Sequence, residues 1–141
     1  MDENEIINAI CEYLTHEGYV VHQRLHTTQR GVDIEAAHTE SGRKIYIEAK
    51  GGTSSREGSN RFGTPYTPSQ VFDLSAKGVY AALVLRSKHP NREREEVVLA
   101  APDTHLYRKY LTPIVDQLID AGIEVFLVAE DHTVVPLVSL S

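Results

Sequence analysis

The chain has 141 residues, with 14 Lys and Arg against 20 Asp and Glu and a formal net charge of −6. That length holds one domain with a real core, residues 1–141, and no second. A hydrophobic share of 41% and a charged share of 24% fit a soluble globular protein. One cysteine excludes an intrachain disulfide, and neither a signal-peptide pattern nor an apolar run of ~18 residues appears, so a cytoplasmic, non-membrane protein is expected.

Asp2 is placed to cap a first helix. Ile6, Ile7, Ile10, Cys11 and Leu14 recur at helical spacing, and Gly18 stops the helix after Glu17. Residues 19–25 read as a first strand. In residues 31–36, Val32, Ile34 and Ala36 alternate with Asp33 and Glu35. In residues 43–50, Ile45, Ile47 and Ala49 alternate with Tyr46, Glu48 and Lys50. A period of two puts each apolar set on one sheet face and each polar set on the other. The turn at residues 39–42 joins the two strands as a hairpin. Thr67-Pro68-Ser69-Gln70 opens a helix, with Thr67 as N-cap, Pro68 at the first position and Gln70 where a capping box needs it. One helix to about Ser87, ended by Pro90, is expected there. A strand over 96–101, a helical region capped by Asp103 and interrupted at Thr112-Pro113, a strand over 124–129 and an edge segment over 134–138 complete the chain.

Two neighbouring strands thus present Asp33, Glu48 and Lys50 to one small volume. Two carboxylates suit a hard cation such as Mg²⁺, which takes oxygen ligands and keeps places for water and phosphate. The main-chain carbonyl of Ala49 lies between them and Lys50. A bound metal acidifies its water and neutralises charge on phosphate oxygens, and Lys50 would orient that water or hold the phosphate. Basic charge gathers nearby. Residues 42–61 carry five Lys or Arg against two acids, and residues 86–94 carry four against one, whereas residues 1–17 and 116–131 are acidic.

Gly31-Val32-Asp33 followed by Glu48-Ala49-Lys50 resembles the PD-(D/E)XK nuclease superfamily, without the proline before the aspartate. The resemblance extends to small stand-alone prokaryotic members through residues 51–55 and the helix start at Pro68-Ser69-Gln70-Val71. It implies an α/β fold with a restriction-endonuclease-like αβββαβ core, a mixed sheet flanked by helices, and an added C-terminal helix and strands. It also implies Mg²⁺-dependent (or Mn²⁺-dependent) hydrolysis of DNA. Glu5 stands on the first helix, where relatives add an acid to the metal site, and it can equally close the N-terminal cap; Glu12 is the fallback. Gln70 stands where relatives place a helix-borne glutamine, and capping explains it equally well.

The Gly-, Ser- and Thr-rich stretch 51–66 offers Ser54, Ser55, Arg56 and Arg61 as phosphate-gripping groups beside the site. A non-catalytic nucleic-acid-binding or assembly module on the same fold is the alternative reading. One site per chain makes one cut per visit, and the C-terminal segment is an exposed edge, so a homodimer is expected with its interface away from Lys50.

Overall fold

Helix α1 spans Glu3–His16 and starts in a reciprocal capping box: the Glu5 amide donates to Asp2 Oδ1 at 2.9 Å, and the Asp2 amide to Glu5 Oε1 at 3.5 Å. Its inward stripe (Ile6, Ile7, Ile10, Cys11 and Leu14) is buried, as the helical spacing requires. Gly18, at φ +90°, makes the left-handed turn out of the helix. The computed structural model describes residues 1–25, 31–53 and 64–139, so Ser54, Ser55, Arg56 and Arg61 lie outside the described residues.

Six strands follow one another across a single sheet in chain order: β1 (Tyr19–Arg24), β2 (Ile34–His38), β3 (Lys44–Ala49), β4 (Glu95–Pro102), β5 (Ile123–Val128) and β6 (Val134–Pro136). β1, β2 and β3 pair antiparallel, β3–β4 and β4–β5 pair parallel, and β6 returns antiparallel. The parallel pairs need crossovers. Helix α2 (Pro68–Lys88) supplies the first; α3 (His105–Leu111), a 3₁₀ turn (Thr112–Ile114) and α4 (Val115–Asp120) supply the second.

Both sheet faces are covered, and β4 shows why its sequence is apolar throughout. Val98 and Ala100 join the core beneath α1, while Val97, Leu99 and Ala101 join the core beneath α2, α3 and α4. Ile34, Ala36, Ile45, Ile47 and Ala49 all lie in the α1-side core, as their alternation requires. Burying one such Ile stabilises the fold by ~1.5–3 kcal/mol. A mixed six-stranded sheet between helices is an α/β architecture consistent with a restriction-endonuclease-like core.

Helix α2 runs unbroken past Gly78 to Lys88, so the small-and-apolar stripe outweighs the glycine. Three local expectations need correction. β2 begins only at Ile34, and Val32 leaves the α1-side face to line a cleft with Glu48. The cap of α3 is Thr104, whose hydroxyl accepts from the Tyr107 amide at 3.3 Å; the Asp103 carboxylate is taken instead by Arg108 at 2.6 Å. β6 stops at Pro136, short of Val138, because a proline cannot donate to the ladder and confines the segment to the sheet edge. No helix among the described residues is long and apolar enough to cross a membrane.

Candidate functional site

The hairpin register fixes where the charges meet. Ile34 pairs with Ile47, so the next positions outward bring Asp33, just before β2, opposite Glu48, near the end of β3. The Ala49 amide donates to Asp33 Oδ2 at 2.8 Å, which turns that carboxylate inward across the hairpin. Glu48 and Asp33 lie close enough for each carboxyl to shift the other, and Lys50 Nζ stands 3.3 Å from Glu48 Oε1. The Lys50 and Glu48 side chains are only 15% and 16% exposed. All three groups sit at the carboxyl end of β3, where β4 runs parallel and the Lys50 amide donates to the Ala100 carbonyl at 2.9 Å.

Two glycines make room for this arrangement. A Cβ on Gly78 would meet Lys50 Cγ at 3.3 Å and Leu99 Cδ1 at 2.8 Å, so α2 passes directly over the lysine stem. A Cβ on Gly51 would fall 2.5 Å from the Glu3 amide nitrogen, so only glycine lets the first turn of α1 sit against the chain just after Lys50. That seat is pinned on both sides. Gly52 N donates to the Met1 carbonyl at 2.8 Å, and the Tyr107 hydroxyl donates to the Gly51 carbonyl at 2.6 Å.

The consequence is a third acid, Glu3. Burial first, then the charge of Asp33, pushes its carboxyl up to about 7, with Lys50 opposing. Burial and Asp33 likewise raise Glu48 to about 6. Asp33 is raised by burial in spite of the Ala49 amide and Lys50, both of which favour its charged form. Three carboxyls therefore share one ammonium.

The α1 acid facing this group is Glu3, whereas Glu5 is exposed and turned back into the Asp2 cap. Glu12 is exposed as well. Gln70 is in its capping box: Oε1 accepts from the Thr67 amide at 2.8 Å, and its own amide donates to Thr67 Oγ1 at 3.3 Å. Glu35 stands opposite Tyr46 in the hairpin, further from the strand ends. The sequence offered one signal for Glu3, an acid one residue after an N-cap in a chain carrying Gly-Gly directly behind Glu-X-Lys.

A set of oxygen donors, two of them neighbouring carboxyls and all pushed toward protonation, suits a hard divalent cation better than a soft one. Among the described residues, no group of three or more His, Cys, Asp or Glu side chains is placed to hold a metal ion.

The chain matches no model of a protein family, and no curated protein matches it. Among solved structures it is similar to SfsA from Pyrococcus furiosus in complex with Ca²⁺, at 15% identity and a TM-score of 0.41. The match covers 94% of this chain and 58% of that one, so the chain spans little more than half the length of that structure.

Proposed function

We propose that this chain is a metal-dependent nuclease of the PD-(D/E)XK type that hydrolyses DNA phosphodiester bonds. The observation that carries the reading is the Asp33–Glu48 carboxyl pair with Lys50 Nζ 3.3 Å from Glu48, at the carboxyl end of a parallel strand. Asp33 and Glu48 would hold Mg²⁺ (or Mn²⁺), with the Ala49 carbonyl beside them; the few protein oxygens leave places for water and phosphate. When bound, the metal supplies an acidified water and neutralises phosphate charge.

The chain's own groups do the rest. The Ala49 amide fixes the Asp33 carboxylate, and the Glu48 carboxylate fixes the Lys50 ammonium. Lys50 donates to the attacking water or to a phosphate oxygen. Glu3, at about 7, is poised to exchange a proton near neutrality and takes the place on α1 expected of Glu5. Ser54, Ser55, Arg56 and Arg61 follow the site in sequence and supply phosphate contacts, and a twofold dimer would present two sites to two strands.

The test is cleavage of single-stranded, duplex, nicked and four-way-junction DNA with Mg²⁺ or Mn²⁺, by wild type, Asp33→Asn and Lys50→Met. Loss of cutting in both folded variants is expected, and full cutting by either sinks the assignment. One observation favours a non-catalytic binding module on the same fold: Glu5 and Gln70 both serve helix caps. Salt-sensitive binding with no cutting of any substrate would establish that reading instead.

A further inference from the structure

We infer that the cleft running from Glu48 along α2 seats an unpaired nucleobase of the substrate strand, stacked on Tyr80. This rests on the nuclease reading of the neighbouring carboxylates and names the kind of DNA they would cut.

The cleft has a volume of about 370 Å³, within the range of small-molecule sites. Glu48 lines it together with the apolar Val32, Val84 and Leu85, and Tyr80 and Lys88 are its other large side chains. Tyr80 is 71% exposed, more than Phe72 at 54% and Leu83 at 43%, the other large apolar side chains that α2 leaves outside. An aromatic ring presented by a helix beside an apolar cleft costs free energy in water and gains it from a second flat ring. Every base has such a face, and base–aromatic stacking needs no particular sequence.

Charge sets the orientation. Lys88 lies eight residues beyond Tyr80 on the same helix, about 12 Å along its axis, and is the cation for a phosphate. Asp33 and Glu48 would hold the cation that neutralises the phosphate on the other side of the base. A base that stacks on the Tyr80 ring, between α2 and residues 31–32, has left the stack of its own duplex. The favoured substrate is therefore a single strand, a flap or a duplex carrying an unpaired nucleotide.

The test measures binding of a short single-stranded oligonucleotide and of the matching duplex by fluorescence anisotropy with Ca²⁺ present, and cleavage of both with Mg²⁺. Tyr80→Ala should bind the single strand about 10-fold more weakly, Tyr80→Phe like wild type, and duplex binding should not change. Moving one abasic residue along the oligonucleotide should find a position that costs wild type the same factor and costs Tyr80→Ala nothing further. Leu83→Ala alters the outer groove, which Tyr80 also lines together with Phe72 and Tyr110, but not the cleft beside Glu48, and should behave as wild type; weakened binding by it would assign the Tyr80 effect to the outer groove and overturn the subsite.

Asp33-dependent cleavage that ignores both Tyr80→Ala and the abasic scan overturns the base subsite and leaves the nuclease reading standing. Tyr80-dependent, abasic-sensitive binding without cleavage of any substrate supports the subsite and removes the nuclease reading. A Tyr80→Ala protein that changes only its sedimenting mass, or a wild type that binds no single strand, overturns the subsite.

Discussion

The two ends of the central strands treat charge in opposite ways. At the amino end of β3 and β4, Arg43 pairs with Glu96 at 2.8 Å and donates to the carbonyls of Arg92 and Glu93. Tyr19 donates to the other Glu96 oxygen, and His89 stands 2.9 Å from Glu95 while its ring stacks on Tyr46. Arg86, nearly buried, donates to the carbonyls of His89, Glu95 and Gly122. Burial pushes Glu124 upward there, with Arg43 opposing, and it also raises Tyr46 and lifts Tyr19 to about 12. At the carboxyl end, three acids divide one lysine. The charges at the amino end are largely paired, the buried Arg86 Nε excepted; the carboxyl end is short of positive charge, which an external cation would bring.

Asp33→Asn should break the contrast most completely. It keeps an acceptor for the Ala49 amide and removes one like charge. Cleavage should fall on the order of 10³-fold while the metal-free protein gains about 1 kcal/mol, read as activity against denaturant midpoint. Lys50→Met acts in the reverse sense on stability. With no ammonium left among the acids, about 2 kcal/mol should be lost at alkaline pH and largely recovered in mild acid, and cleavage should vanish.

Mg²⁺ should sharpen the contrast from outside. At ~100-fold above its dissociation constant it stabilises wild type by about 2.7 kcal/mol, visible as a rise in Tm, and Glu48→Gln should lose most of that rise. An equal rise in both proteins would place the cation elsewhere.

Acid should do part of the same work. A carboxyl whose pKa rises on folding binds more protons folded than unfolded, so stability falls as pH climbs from 4.5 to about 7 and the penalty is complete above that. Glu3→Gln should flatten this slope by on the order of 1 kcal/mol, allowing for solvent screening of a partly exposed group. The smallest effect belongs to the balanced end. Arg43→Met should cost about 1 kcal/mol and leave cleavage unchanged, since its ion pair is partly in water.

How much of this was legible depended on how local each cause was. Ile45, Ile47 and Ala49 announced their face by period alone, and Thr67-Pro68-Ser69-Gln70 its helix start by cap chemistry. Glu48 and Lys50 stood out as charges closing an apolar strand. Glu3 did not, because its place depends on Gly51 admitting the first turn of α1, a contact across half the chain's first hundred residues. Asp103 and Thr104 are both good caps, and only the position of Arg108 decides between them. Tyr80 was hidden for another reason: an aromatic within a long helix reads as core until the packing leaves it outside.

Gly78 has a consequence for how the molecule breathes. Glycine inside a helix costs about 1 kcal/mol relative to alanine, so α2 is intrinsically weakest on the turn that covers Lys50. Alanine would repair the helix but crowd Leu99 and the lysine stem, and overpacking of that kind costs a similar amount. The two effects nearly cancel in the free energy of the whole fold, yet not in its local openings. Backbone amides around Gly78 should exchange with solvent sooner than those of Ile47 and Leu99 in the sheet, which makes the covering helix a segment that can loosen above the lysine while the sheet beneath stays closed.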